Sequence, residues 1–370
     1  GRERTARRGE ARREDTMGVI VAEYVWVDGD GGLRSKSRVI RDLKKVKSPK
    51  DLPDWNFDGS STGQAEGSNS EIELRPEAIF RDPFRREEDV LVMCSAWTPD
   101  GEPTNTNHRA KAAEILAQRP GDEPWFGLEQ EYTLFQDGAP LGWPQSKARS
   151  IGGPLSTIGF PADQGPYYCS VGADVAFGRE ISEEHLFKCI DAGLLIGGTN
   201  AEVMPGQWEY QIGPCTGVEI GDHMFISRYL LHRVCEKYDV IASFAPKPIP
   251  GKWNGVGCHA NFSNKPMREN DDAWETIFKP GLEKLRERHQ EHIKIYGKGN
   301  ERRLTGESET ASIDDFSYGV GDRSASIRIS SGTDKKGKGY IEDRRPAGNI
   351  DPYLVCGKLY DTMILATQSN

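Results

Sequence analysis

Two glutamates stand two residues apart in the run Trp125-Phe126-Gly127-Leu128-Glu129-Gln130-Glu131-Tyr132, and no other stretch constrains the chain as much. The neighbouring Trp125, Phe126, Tyr132, Thr133 and Phe135 favour extended backbone. Side chains alternate along a strand, so both carboxylates leave the same face. Like charges held side by side are costly unless a proton or a cation sits between them. Two exposed acids on a solvated edge would also satisfy the pattern taken alone. What favours a cation is the number of companions elsewhere in the chain.

Residues 200–213 (NAEVMPGQWEYQIG) read as a hairpin turning at Pro205-Gly206. A two-residue loop would set Glu202 directly opposite Glu209, with Cβ atoms ~5 Å apart. That register again calls for a cation, although Pro-Gly is not the turn that hairpins prefer and two exposed acids stay open as the alternative. His259 sits on a short strand flanked by Gly255 and Gly257, where a lone histidine is more often a satisfied core residue than a ligand. Tyr340, Glu342 and Arg344 alternate onto one strand face, which by itself describes a salt-bridged surface.

Taken together, five glutamates and one histidine offer the oxygen and imidazole donors that Mg²⁺ or Mn²⁺ accepts. Arg302, Arg303, Arg323, Arg328 and Arg344 suit phosphates or a substrate carboxylate. The combined reading is phosphoryl transfer on metal ions and arginines. Residues 332–339 come close to a phosphate loop, but Gly339 occupies the Ser/Thr position, so a flexible basic loop is expected. His289 and His292 share helical spacing without an HExxH pattern and read as a solvated helix face.

Composition narrows the partners. A net charge of −9 disfavours nucleic acid and anionic membranes. No apolar run reaches the ~18 residues that span a bilayer. Seven scattered cysteines without a C-x-x-C pair fit a reducing compartment, the cytoplasm. Residues 1–16 carry six arginines and four acids and read as a disordered extension, too acidic for a transit peptide. Strand-like runs at 19–27, 34–40, 71–74 and 90–96 make residues 17–103 a small sheet-rich domain. A helix over 108–118 opens a larger domain, 104–370, with more helices starting near Ser182 and covering 223–238 and 273–296. The fold class is α+β, with a mixed or antiparallel sheet.

At this point the chain resembles glutamine synthetase of the short eukaryotic type (type II). The resemblance covers about residues 19–365 and rests on WNFDGSSTGQAEGSNSEI, WFGLEQEYTL, GPYYCSVGAD, GTNAEVMPGQWEYQIGP, PKPIPGKWNGVGCHANFS, RRLTG, SASIRI and GYIEDRRPAGNIDPY. It implies a β-grasp-like N-terminal domain and a C-terminal catalytic domain with a mainly antiparallel sheet and flanking helices. It also implies a homo-oligomer of two stacked pentamers with active sites between subunits. The implied reaction is ATP-dependent ligation of glutamate and ammonium to glutamine through γ-glutamyl phosphate, with two or three Mg²⁺ or Mn²⁺ ions per site.

By that resemblance Glu129, His259 and Glu342 hold the nucleotide's metal, and Glu131, Glu202 and Glu209 hold the metal that orients the substrate carboxylate. Asp58 of a neighbouring subunit, assisted by Ser61, binds ammonium and takes its proton. Asn254, Gly255, Arg303 and Arg344 contact glutamate, and Arg323 and Arg328 stabilise the transferred phosphoryl group. Trp125, Ser263 and Tyr340 contact the nucleotide, and Glu309 closes the site as part of a flap. The family pattern has histidine just before that glutamate; this chain has Ser308, with an added acid at Glu307. Reduced but present activity is expected from that change. The apolar-patterned segment that usually precedes the first strand is missing from 1–16, which bears on ring contacts, and no tyrosine loop for adenylylation is found. A catalytically silent relative and a ligase for another amine are the competing readings. The retained Asp58 and metal-ligand set argue against the first, and Asp58 beside Ser61 against the second.

Overall fold

The computed structural model describes residues 18–41, 43, 45–143 and 164–367, so the 1–16 extension lies outside the described residues. Two compact units emerge, one drawn from Gly1–Asn107 and Lys188–Leu194, the other from His108–Phe187 and Leu195–Asn370.

The first unit is built on a five-stranded sheet: β1 (Val19–Val27), β2 (Leu33–Arg41), β3 (Trp55–Asp58), β4 (Glu71–Arg81) and β5 (Val90–Trp97), in the order β2-β1-β5-β4-β3. The pairing of β1 with β5 is parallel and the rest is antiparallel. Alternate residues Ile20, Ala22, Tyr24 and Trp26 of β1 pack with Ile72, Leu74, Val92 and Cys94 into one core. From Ala22 to Val27 every residue of β1 is buried, so both faces of this strand are covered. Asp58 ends β3 and caps the turn that follows, where its side chain accepts from the Ser60 amide.

The second unit carries the larger sheet. Its strands are β6 (Trp125–Gln136), β7 (Ala139–Pro140), β8 (Ile196–Ala201), β9 (Gln207–Thr216), β10 (Ile241–Ser243), β11 (Cys258–Ser263), β12 (Tyr318–Val320), β13 (Ile327–Ile329) and β14 (Ile341–Asp343). They run β12-β13-β14-β11-β6-β9-β8, with β7 and β10 also on β6 and with only β12 and β13 parallel. Helices are α1 (His108–Leu116), α2 (Arg179–Ala192, which from Lys188 on is counted with the first unit), α3 (Glu219–Tyr238), α4 (Lys265–Glu269), α5 (Lys279–Glu287), α6 (His289–Ile293), α7 (Ser331–Lys336) and α8 (Pro352–Tyr360). α3 packs on β9, β6 and β10, and α8 packs on α1, α3 and β11. This leaves one sheet face for the core and the other for chemistry. On β6, Phe126, Leu128, Gln130 and Tyr132 are buried, while Gly127, Glu129 and Glu131 alternate onto the opposite face.

Four sequence expectations change. The hairpin register differs by two residues: Asn200 faces Glu209 and Ala201 faces Trp208, so Glu202 lies beyond the ladder. Met204-Pro205-Gly206-Gln207 forms a turn with Pro at the second position, Gly206 at φ +71°, and the Gln207 amide bonded to the Met204 carbonyl at 3.1 Å. That is type II geometry, which splays hairpin strands instead of continuing their twist, so pairing starts later. The 273–296 helix is broken into a π-turn (Trp274–Phe278), α5 and α6. The 332–339 segment is largely helical, with Ser330 capping α7 and Gly337 ending it in a left-handed conformation. Finally, His289 and His292 are buried. His292 bonds Tyr296 and Thr362, and His289 bonds Arg345 and the Ile313 carbonyl.

Candidate active site

Strand pairing assembles the acids. Glu129 on β6 is the direct partner of His259 on β11, and Glu342 on β14 is the partner of Asn261, two residues along. Glu131 on β6 is the direct partner of Glu209 on β9. Glu202 joins from the β8–β9 connection, where Asn200 and the Val203 amide donate to its carboxylate at 3.1 and 3.2 Å. Two clusters result, Glu129–His259–Glu342 and Glu131–Glu202–Glu209, each with ligand atoms within 4.8 Å of one another. Glu129, His259, Glu131, Glu202 and Glu209 line a cavity of about 390 Å³ together with Asn254, Gly255, Arg303, Glu309, Arg323, Arg328 and Arg344, and Glu342 lies buried behind that lining. Arg302 is exposed and is not among its lining residues.

Electrostatics mark these carboxylates as under load. Burial, then the charge of Glu131, pushes Glu202 up to about 8 and Glu209 up to about 9. His259 is driven down to about 3 by burial first and by Arg344 second, so its imidazole is neutral. Its Nδ1 lies 3.4 Å from Glu129 and 3.6 Å from Glu342, and Arg303 donates to its Nε2 at 3.1 Å. Burial also lowers Arg303, to about 10. A side chain at Gly257 would bring its Cβ within 2.9 Å of His259 Nε2, so the glycine keeps this approach open.

A divalent cation fits these residues. The donors are hard carboxylate oxygens plus one neutral imidazole. Glu342 Oε2 is buried and accepts no hydrogen bond, although Arg328 Nε lies only 2.5 Å away, an ion pair by distance alone. A buried carboxylate oxygen left in that state suits a cation.

Arginines and the segment around Glu309 frame the clusters. Arg344 donates to Glu342 at 2.8 Å, to the Arg323 carbonyl at 3.1 Å and to the Glu309 carbonyl at 3.4 Å. The backbone of this segment turns left-handed at Gly306, Ser308 and Glu309, and the last two have side chains that disfavour it.

A second cavity, about 460 Å³, shares Glu129 with the first and is largely apolar. Trp125, Ser263 and Tyr340 line it, and Trp125 and Tyr340 are 40% and 43% exposed. Arg268 lies 3.8 Å over the Trp125 ring and donates to Ser263 Oγ at 3.1 Å. Sequence reading missed Arg268, and also Tyr168 and Asn200 of the first cavity. Asn200 could have been found, since it stands two residues before Glu202. Arg268 carries no local signal, because α4 brings it to Trp125 only through the fold.

In the first unit, Asp58 accepts from Ser60 Oγ at 2.7 Å and Ser61 Oγ at 3.0 Å. Hydroxyl donors, Ser60 first and then Ser70, hold its carboxyl down to about 2. Ser60 and Ser70 were also missed by sequence reading.

Two carboxylate clusters, four arginines and an adjoining apolar cavity suit metal-assisted phosphoryl transfer. Comparison with known proteins narrows that class. Residues 18–99 match the family described as glutamine synthetase, beta-grasp domain, and residues 104–272 match glutamine synthetase, catalytic domain. The chain is 55% identical to the chloroplastic/mitochondrial glutamine synthetase of Arabidopsis thaliana over 94% of its own length and 78% of the relative's. It is 53% identical to glutamine synthetase PR-1 of Phaseolus vulgaris, over 95% of its own length and 96% of the relative's. For the cytosolic isozyme 1-1 of Oryza sativa subsp. japonica the identity is 52%, over the same 95% and 96%. The chain belongs to the glutamine synthetase family.

Proposed function

We propose that this chain is a glutamate–ammonia ligase that makes glutamine from glutamate and ammonium with hydrolysis of ATP, through γ-glutamyl phosphate. The observation that carries the reading is the pair of carboxylate clusters gathered around one arginine-framed cavity beside an apolar one. Glu129, His259 and Glu342 would hold one divalent ion, and Glu131, Glu202 and Glu209 another, with Mg²⁺ and Mn²⁺ both suited. Bound there, such ions would neutralise phosphate charge and polarise the substrate carboxylate.

The chain's own groups then divide the work. Trp125, Tyr340 and Ser263 receive the nucleotide. Arg303, Arg344, Asn254 and Gly255 hold glutamate so that a γ-carboxylate oxygen faces the γ-phosphorus. That oxygen bonds to phosphorus as ADP leaves, while Arg323 and Arg328 offset charge on the moving phosphoryl group. Glu309 closes the cavity so that water does not reach the acyl phosphate. Ammonia nitrogen then attacks the activated carbon, and phosphate departs.

Asp58 and Ser61, contributed by a neighbouring copy, would hold ammonium. The hydroxyls that hold its carboxyl down to about 2 keep Asp58 the carboxylate that both roles need, binding the cation and accepting the proton that the nitrogen gives up before it attacks. The division into a β-grasp-like domain over 17–103 and a catalytic domain over 104–370, a ring-forming homo-oligomer of two pentamers, and a cytoplasmic location complete the reading. Cytosolic relatives support that location, while chloroplastic relatives of similar identity keep a plastid as the alternative. No described helix is long and apolar enough to cross a membrane.

The test is phosphate release from ATP with glutamate and Mg²⁺, with and without ammonium, and with glutamine identified by mass. Ammonium-dependent phosphate matched by glutamine is expected. Turnover with another amine alone would overturn the substrate. Within this reading Trp125→Ala is expected to raise the Michaelis constant for ATP ~10-fold through lost stacking, leaving that for glutamate unchanged. Equal rises in both would place Trp125 outside nucleotide binding.

A further inference from the structure

Between Glu129 and Glu131, the side chain of Gln130 points to the opposite face of β6 and is fully buried. Its Oε1 accepts two hydrogen bonds from one guanidinium, Arg228 Nε at 2.8 Å and Nη2 at 2.6 Å. Arg228 rises from the middle of α3 and is only 6% exposed. Its other donors reach the Ile350 carbonyl at 2.8 Å and the Gly348 carbonyl at 3.1 Å, and Gln130 Nε2 donates to the same Gly348 carbonyl at 3.0 Å. Every one of these acceptors is neutral. Arg228 forms no ion pair among the described residues, and the carboxylate of Asp351, which feels its charge, caps the Tyr353 and Leu354 amides.

A buried guanidinium without an ion pair is costly, and an apolar side chain would fill the space beneath a sheet more simply. What the charge and its planar fork accomplish here is geometric. They lock the one β6 residue that lies between the two cluster glutamates to the segment that follows β14. The 346–348 backbone also bonds β11 and the loop before it, through the Cys258 amide to the Pro346 carbonyl at 3.0 Å and the Gly348 amide to the Val256 carbonyl at 2.8 Å. β6, β11 and the chain beyond Glu342 are thereby braced at one point.

We propose that Arg228 is a positioning residue for both carboxylate clusters: by gripping Gln130 it fixes the pleat of β6 that presents Glu129 to one cluster and Glu131 to the other. This rests on the reading of those clusters as cation sites. Arg228 touches neither substrate nor the reacting atoms. It acts through Gln130, as outer partners of metal ligands do.

The test is a Mn²⁺ titration of the full chain, followed by calorimetry or by the electron-spin signal of free Mn²⁺, with thermal melting alongside. Arg228→Lys keeps the charge and loses the fork. Gln130→Met removes the acceptor and leaves the arginine, so a folding failure of one variant still leaves the other. Each is expected to weaken Mn²⁺ binding about 10- to 100-fold, at both classes of site together. A lowered melting temperature with Mn²⁺ affinities within about twofold of the unaltered chain would make Arg228 a structural residue only and overturn the proposal. So would weakening at a single class of site. If the unaltered chain binds Mn²⁺ but makes no glutamine, the ligase reading fails, while the same titration still decides the role of Arg228. An unaltered chain that binds no Mn²⁺ removes both.

Discussion

Replacing Arg328 with alanine is expected to lower kcat by about 10³-fold while Mn²⁺ binds at least as tightly as before. The two effects have opposite signs because one guanidinium serves two masters. Arg328 on β13 is the register partner of Glu342 on β14, with Nε 2.5 Å from Glu342 Oε2. That oxygen accepts no hydrogen bond, so the arginine screens it without saturating it. Arginine and cation therefore compete for the same atom, and removing the arginine frees Glu342 for the ion. In the proposed reaction the phosphoryl group would lose a nearby positive charge, and arginines that stabilise such a transfer are worth about 10³–10⁵ in rate. Steady-state phosphate release and a Mn²⁺ titration on the same preparation check both halves. Weakened Mn²⁺ binding with turnover intact would reverse the assignment and make Arg328 a partner of the metal cluster only. Arg302→Ala is the matched control: this arginine is exposed and absent from the cavity lining, so neither quantity should move.

The contrast between Arg302 and Arg328 also shows where sequence reading stops. Both are arginines within short polar-apolar strings, RRLTG and SASIRI, and nothing local tells them apart. Strand periodicity does tell that Glu129 and Glu131 share a face, because period 2 is a property of the strand itself. It does not tell that Glu131 meets Glu209, since that pairing joins β6 to a strand some eighty residues away in the chain. The hairpin reading placed Glu202 against Glu209 by the wrong register, misled by a Pro-Gly pair that makes a type II turn. The acids still gather, because Glu202 folds in from the connection instead of the ladder. His289 and His292 failed for a related reason. Their spacing on α6 is helical, but whether a helix face is wet or buried depends on what packs against it, and Arg345, Tyr296 and Thr362 do so here. Identity of the family was legible from long matched strings. The brace beneath β6 was not, because Gln130 and Arg228 are ninety-eight residues apart and share no motif.

Mn²⁺ affinity at the Glu131–Glu202–Glu209 cluster is expected to rise with pH, by up to about tenfold per unit when one proton is displaced, across the range in which its carboxyls titrate. The cause is the raised pair: burial and the charge of Glu131 bring Glu202 to about 8 and Glu209 to about 9 in the fold. A cation must displace those protons to bind. The same shifts fix the sign for stability. Each carboxyl has its unfolded value near 4.5 and its folded value far above it. Between those limits the folded chain holds protons that the unfolded chain has lost, so stability falls as pH rises through that window. Buried neutral histidines such as His185 and His259 act at and below their ordinary 6.5, and the raised thiols of Cys215, Cys235 and Cys258 act above 9. The carboxyls are thus left to dominate between about pH 7 and pH 8.5. Chelator-treated protein is expected to melt ~5 °C lower at the upper end than at the lower, and saturating Mn²⁺ should abolish the difference. Glu209→Gln removes one of the two raised carboxyls and should flatten the pH trend of the metal-free protein while costing it the second class of Mn²⁺ site. A melting temperature that rises over the same interval in the metal-free chain would mean that the three acids do not share the buried charge the geometry assigns them. The cluster would then be an ordinary solvated group of acids, and the case for a cation there would rest on Glu129, His259 and Glu342 alone.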